Sequence, residues 1–415
     1  MQLTLMNHDY KIAKILVRSE VLNSKKNIEP PFIDKLEVYD VSRLPFAVKY
    51  ASEASQIKEL ENWMLHRIIP PHRDGGDYMC DIMNCNFFEA SLRAHGASLT
   101  DGYWFKNEVE DNLKWKDVNF YDRRFSYDMG NVDLQDHKDP LSYVRQPNFF
   151  DTPDATTNGQ MKKAWRRRDG KIILLKQGLS PDFEQPFNEK AASDLLARIC
   201  NVPYVSYSLV NVNGHICSVC QNFITDGIEF VPASDIYHTD IKPIYISLNE
   251  YMEERCKFFK IPNYKDFFDN MHLIDFIIAN SDRHLGNYGF LYDINKLQFI
   301  GPAPIFDNGT SLWSNVSIIP DEISEEKAKE FAKTVQLHHP ANFDISRIQN
   351  IKAIIENAYT GAYISPERIA QIVNFAEQRV QIAERGIEQQ TKYKQKILDH
   401  KHTSHSHAHA HDLEY

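Results

Sequence analysis

The chain has 415 residues and a formal net charge of −10. It is 42% hydrophobic and 25% charged, the balance of a globular protein with a sizeable core and two domains or lobes. No apolar run reaches the roughly 18–20 residues that span a bilayer, and the acidic balance argues against nucleic acid or a membrane as a direct partner.

In chain order, the first 150 residues are irregular. Short strands are expected at Ala13–Val17 and Leu36–Tyr39. A helix is expected at Ala54–Ile69, where Ile57, Leu60, Met64 and Ile68 recur at helical spacing before Pro70-Pro71. Another is expected at Cys85–His95, and Asp101–Phe150 reads as short elements and turns wrapping a larger body. The opening Met1–Leu16 lacks a basic stretch, apolar core and cleavage site, so a cytoplasmic protein is expected.

From Asp151 the pattern becomes a hairpin: Asp154–Arg168, a turn at Asp169-Gly170, and the buried strand Lys171–Lys176. Asn188 is read as the N-cap of a helix with Ala191, Ala192, Leu195, Leu196 and Ile199 on its apolar face. Tyr204–Val212 and His215–Phe223 form a second hairpin across Asn213-Gly214. Cys217 and Cys220 form a CxxC without a second pair, and a buried strand is the favoured reading.

After Thr225 the chain is mostly helical. Helices are expected at Leu248–Phe259, Tyr264–Ala279, Glu322–Val335, Ile345–Ala358 and from Pro366 into the 390s, capped by Ser365. Short strands Tyr288–Tyr292 and Leu297–Ile300 lie between the polar loop Asn280–Asn287 and the loop Pro302–Asn315. The His-rich end, His402–His411, has the composition of a transition-metal binder, with a disordered tail as the favoured reading. The expected divisions are 1–150, a nucleotide-binding small lobe at 151–228, a helical large lobe at 229–399, and the tail 400–415.

The segment Ile274–Thr310 carries the chemistry. Asp282 and Asn287 share one loop, and Asp307 follows two short strands later. Each alone is an ordinary loop or cap residue. Together they supply what phosphoryl transfer needs: a carboxylate to orient an acceptor hydroxyl and take its proton, and hard oxygen ligands for Mg²⁺. Lys176, on a strand before a capped helix, suits the phosphates of ATP. Glu189, in the first turn of that helix, either pairs with Lys176 or complements the helix dipole.

The run Asn280-Ser281-Asp282-Arg283-His284-Leu285-Gly286-Asn287-Tyr288-Gly289-Phe290-Leu291 resembles the catalytic loop of HipA-like serine/threonine kinases. Ala303-Pro304-Ile305-Phe306-Asp307 resembles that family's metal-binding segment. The resemblance implies a two-lobed, protein-kinase-like α+β fold with a β-rich small lobe and a larger helical lobe. It implies Asp282 as base, Asn287 and Asp307 as Mg²⁺ ligands, and ATP as cofactor. The Asp-Arg-His order also resembles phosphoinositide 3/4-kinases, remote relatives by fold, and makes His284 a second acid/base candidate beside the alternative of a histidine packed under the loop. Thr156-Thr157-Asn158-Gly159-Gln160-Met161-Lys162-Lys163 is similar to the family's phosphate-covering segment. There Thr157, Asn158 and Gly159 would approach the nucleotide, Lys162 or Lys163 would add charge, and Thr156 and Thr157 are candidates for autophosphorylation. Gln221 and Phe223 fall where a hinge meets adenine.

The kinship implies a protein substrate and an antitoxin or other regulatory partner. Two alternatives stand beside a protein kinase: a lipid or small-molecule kinase, and a catalytically silent nucleotide-binding regulator.

Overall fold

The computed structural model describes residues 1–22, 28–135, 148–314, 316, 324–348 and 350–411, with 324–325 and 400–411 described through their backbone. Two compact units emerge. Unit one is Met1–Pro186, Val205–Pro262 and His284–Phe306; unit two is Phe187–Tyr204, Asn263–Arg283 and Asp307–Tyr415.

Unit one opens with β1 (Gln2–Asn7), β2 (Tyr10–Val17) and β3 (Ile33–Val38). Four helices follow: α1 (Phe46–Tyr50), α2 (Gln56–Leu65), α3 (Gly76–Met83) and α4 (Phe87–Arg93). Then come β4 (Tyr103–Asn107), α5 (Trp115–Val118) and α6 (Asp128–Asp133). The strands form an antiparallel sheet in the order β3-β2-β1-β4. Leu3 and Leu5 of β1 alternate into a core shared with Leu60, Met64, Phe87 and Phe88 of the helices. The expected strands fall on β2 and β3. The sequence reading missed β1, whose partner residues on β4 lie about a hundred positions away, Leu5 opposite Phe105. Helix α2 stops before the expected Ile69, because Arg67 turns inward to the Asp101 carboxylate and donates to the Gly96 carbonyl at 2.7 Å. Asn86 caps α4, accepting the Glu89 N–H at 2.8 Å.

The second sheet holds β5 (Lys163–Arg168) and β6 (Lys171–Gln177). After α7 (Gln185–Ile199) it takes β7 (Ser208–Val212) and β8 (His215–Gln221). Its antiparallel order is β5-β6-β8-β7. Both hairpins turn as the sequence requires, with positive φ at Asp169, Gly170, Asn213 and Gly214. The first strand is shorter than expected: residues before Lys163 form a 3-10 turn at Pro153–Thr156 and then a loop. The N-terminal region packs on this sheet through Trp104, Trp115 and Phe120 against Trp165, with Ile172 and Leu174 at the edge.

Next come β9 (Ile228–Pro232), α8 (Ala233–Tyr237), α9 (Leu248–Phe258) and α10 (Tyr264–Ile277). They are followed by β10 (Gly289–Asp293) and β11 (Gln298–Pro302). The third sheet runs β11-β10-β9. The two expected strands fall on β10 and β11, but the sequence reading had no strand at β9, which pairs Val231 with Phe290. Ser247 and Glu250 form a reciprocal capping box on α9.

Unit two contains most of α7, α10, and then α11 (Ser324–Thr334), α12 (Ile351–Ala358) and α13 (Pro366–His411). Ser365 accepts the Arg368 N–H at 3.2 Å and caps α13 as expected. Ile372, Val373, Ala376 and Ala383 are buried along one face of α13. Phe276 meets Phe331 edge to face at 4.9 Å, and Trp313 meets Phe375 at 5.5 Å. The expected helix Ile345–Ala358 is broken: a 3-10 turn at Ile345–Arg347 precedes α12, which Asn350 caps from a φ of 62°. The expected start at Glu322 lies outside the described residues. The His-rich tail, read as disordered, instead continues the backbone of α13 to His411.

Candidate functional site

In unit one the loop between the 3-10 turn and β5 is held by a buried polar frame. The Thr156 hydroxyl donates to the Ala97 carbonyl at 2.8 Å, and the Thr157 hydroxyl donates to the Pro153 carbonyl at 2.8 Å. Thr157 Oγ1 also accepts the Trp165 indole N–H at 2.9 Å. Both hydroxyls are thus spent on the fold, and Thr156 is buried. Asn158 Oδ1 accepts the Gly159 N–H at 2.6 Å, and Gly159 takes a φ of 102° that a side chain rarely adopts. Lys162 points back into the N-terminal region, donating to the Gln135 carbonyl at 3.1 Å and lying 3.5 Å from Asp74. Lys163 is the lysine that braces the loop itself, donating to the Asn158 carbonyl at 2.8 Å.

Lys176 stands on β6, opposite Lys163 of β5 and Ser218 of β8. It is 5% exposed, and its ammonium faces the buried Tyr207 ring with 5.9 Å to the centroid. Lysines are rarely this buried, because desolvating an ammonium is costly. At the end of β8, Gln221 is exposed, while the Asn222 side chain donates to the Leu99 carbonyl at 3.1 Å. Phe223 joins Phe230 and Phe306 in an aromatic trio, with centroids 6.1 and 5.6 Å from Phe223. Cys217 is fully buried on β8, and burial pushes its thiol up to about 12. That is an inert core thiol, as the sequence reading favoured.

The segment after His284 is pinned at several points. The Ser234 N–H donates to the Leu285 carbonyl at 3.0 Å, the Ala233 N–H to Tyr288 at 3.0 Å, and the Ala303 N–H to Gly289 at 2.9 Å. Asn287 is buried, and its N–H donates to the His284 carbonyl at 2.9 Å. The His284 ring is exposed, against the reading of a histidine packed under the loop. Its Nδ1 accepts the Gly286 N–H at 3.0 Å, so the neutral ring carries its proton on Nε2.

In unit two, α10 ends in a loop carrying Asp282. The Asp282 N–H donates to Asn280 Oδ1 at 3.0 Å, and Asn280 Nδ2 donates to Asp275 at 2.9 Å. Arg283 forms a two-pronged pair with Asp275, 2.9 Å on each arm, and donates to Asn308 Oδ1 at 2.5 Å. Asn308 follows Asp307, which sits at a φ of 58°. The Ser281 N–H donates to the Thr310 carbonyl at 3.2 Å, and the Leu312 N–H to Ile278 at 2.7 Å. Two acid-bearing loops, 25 residues apart at Arg283 and Asn308, are therefore laid side by side.

Asn188 completes this arrangement, and here the structure corrects the expected N-cap. Helix α7 begins at Gln185, so Asn188 lies inside it. Asn188 is fully buried and donates to the Gly309 and Ser311 carbonyls, both at 2.8 Å, while its oxygen accepts from Tyr359. Its role is to tie α7 to the loop after Asp307. Glu189, the next residue, is buried in unit two.

The structure thus joins the segments of Asp282 and Asp307 within unit two, and places Lys176, the 157–163 loop, Gln221, Phe223, His284 and Asn287 in unit one. Asn188 had no signal for this role in the sequence, because the carbonyls it reaches, Gly309 and Ser311, lie 121 and 123 positions away. Among the described residues no three His, Cys, Asp or Glu side chains gather as a metal site. Mg²⁺ needs less from a protein, one or two oxygen ligands beside phosphate oxygens, and Asp307 and Asn287 are of that chemical kind. No described helix is long and apolar enough to cross a membrane.

No protein-family profile and no curated protein matches the sequence. Solved structures do match. HipA of the Shewanella oneidensis MR-1 toxin–antitoxin system, determined with HipB and its operator DNA, superposes with a TM-score of 0.51 at 13% identity, over 92% of this chain and 97% of that one. The Helicobacter pylori proinflammatory kinase CtkA gives a TM-score of 0.41 at 21% identity, over 55% of this chain and 94% of that one. The Shewanella likeness shows the fold: α+β, two-lobed and kinase-like.

Proposed function

We propose that this chain is an ATP- and Mg²⁺-dependent kinase that moves the γ-phosphoryl group to a Ser or Thr hydroxyl of a protein. The observation that carries the reading is the Asp275–Arg283–Asn308 brace, which sets Asp282 and Asp307 on adjoining loops of a kinase-like fold. In this reading Asp282 orients the acceptor hydroxyl and takes its proton. Asp307 and Asn287 hold Mg²⁺, and Lys176 holds the α- and β-phosphates. MgATP, when bound, supplies the phosphoryl group and neutralises the charge on its oxygens. Asp282 is exposed, as a group that meets a macromolecular acceptor must be. His284 is exposed beside it in sequence, with Nε2–H as a second proton donor.

The partner of the Shewanella protein, HipB, supports a regulatory protein partner here as well, and a place in a toxin–antitoxin pair. A net charge of −10 disfavours DNA as a direct ligand of this chain.

The test incubates wild type, Asp282→Asn and Lys176→Met with labelled ATP, Mg²⁺ and a host lysate. Wild type labels itself or a discrete lysate protein, and the two variants lose roughly 10²–10⁴-fold of that rate while keeping their fold. Equal labelling by wild type and Asp282→Asn removes Asp282 as the base. Labelling confined to phospholipid or a small molecule replaces the protein acceptor.

A further inference from the structure

Arg73 comes from the turn between α2 and α3, and its side chain is 1% exposed. Among the described residues, its side-chain hydrogen bonds run to the 157–163 loop or to Asp133, which supports that loop. Nε and Nη2 donate to the Gly159 carbonyl at 3.0 and 2.8 Å, and Nη2 donates to the Thr157 carbonyl at 2.6 Å. Nη1 donates to Asp133 Oδ2 at 2.9 Å, and the same oxygen takes the Lys163 N–H at 3.0 Å. A buried guanidinium thus clamps two alternate carbonyls of a surface loop.

The consequence follows from peptide geometry. A trans peptide is planar, and its C=O points opposite to the N–H of the next residue. Anchoring the Thr157 and Gly159 carbonyls on Arg73 therefore turns the N–H groups of Asn158 and Gln160 away from it. Both residues are exposed, and among the described residues neither N–H has a protein acceptor. Gly159 stands between them at a φ of 102°, and a Cβ there would meet Lys163 Nζ at 2.1 Å. The Gly159 N–H is held by Asn158 Oδ1, which leaves two backbone N–H groups of one turn directed outward, a donor pair of the kind that binds anions.

We infer that Arg73 is a positioning residue: it fixes the 157–163 loop so that the Asn158 and Gln160 N–H groups are presented as donors to a phosphate of the nucleotide. The clamp stands on the geometry of unit one; the phosphate rests on the kinase reading above.

The experiment uses the full chain as wild type, as Arg73→Lys, and as the double variant Arg73→Gln with Asp133→Asn, which leaves no buried charge unpaired. Two readouts are taken: amide exchange of residues 153–163 without nucleotide, and the KM for ATP against the rate at saturating MgATP. In the double variant the loop exchanges about tenfold faster or more, and the KM for ATP rises about tenfold to a hundredfold with the saturated rate nearly kept. Arg73→Lys, which keeps the charge but not the fork, falls between and remains the measured variant where the double variant does not fold. Unchanged loop exchange in a folded variant overturns the clamp. Faster exchange with an unchanged KM overturns the phosphate role. If wild type transfers no phosphate at all, the kinase reading and the phosphate role fall together, and the exchange readout alone decides the clamp.

Discussion

Asp154 offers a sharp test of the frame beneath this loop. It is 3% exposed; Oδ1 accepts the Trp165 N–H at 2.8 Å and Oδ2 accepts the Thr152 hydroxyl at 3.1 Å. Burial pushes its carboxyl up from 3.8 to about 6, outweighing the Trp165 N–H, the Arg166 charge and the Thr152 hydroxyl, which all pull it down. The folded chain therefore binds this proton more tightly than the unfolded chain does. Its contribution to stability is fully present below about pH 4 and is lost as pH rises through about 6. A separation of about two pK units is worth about 3 kcal/mol. Asp154→Asn keeps an oxygen for the Trp165 N–H and does not titrate. The stability of the variant relative to wild type should thus climb by about 3 kcal/mol between about pH 4 and pH 7, then level off. Urea unfolding of both proteins at a series of pH values measures this, since titrating groups distant from Asp154 cancel in the difference. A difference that stays constant with pH, or falls as pH rises, refutes a buried carboxyl of raised pKa at this position.

Two further substitutions probe packing, one in each unit. Asn188→Ala leaves the Gly309 and Ser311 carbonyls without their buried donor, and should cost about 1–3 kcal/mol in urea unfolding. It should also lower phosphoryl transfer through the loop that carries Asp307, so a variant as stable and active as wild type would show that the tie is idle. Gly130→Ala places a Cβ 2.6 Å from Asp154 Oδ2, 2.7 Å from Ala164 Cβ and 2.8 Å from Arg166 Nη1. Overpacking of this kind costs about 1–3 kcal/mol, and a thermal melt indistinguishable from wild type would contradict the close approach of α6 to β5.

Local chemistry alone determined a good part of this protein. The turns at Asp169-Gly170 and Asn213-Gly214 were legible because few residues tolerate positive φ, and that demand is met within two positions. The Ser365 cap, the buried face of α13, the strand bearing Lys176 and the polar loop bearing Asp282 were legible for the same reason: each is a pattern inside one short window. Only tertiary structure decided the rest. Strand β9 is ordinary until Phe290 comes to pair with Val231, and the second edge of β1 is closed only when Phe105 meets Leu5 from a hundred residues away. Asn188 reads as a helix cap until Gly309 and Ser311 arrive as its acceptors. Arg73 and Asp133 look like surface charges until burial makes each the other's partner and sets both behind the 157–163 loop. The physical reason is the same each time: a polar or apolar group reveals its preference for a partner locally, but which partner it meets depends on chain closures of tens to hundreds of residues that no local periodicity records.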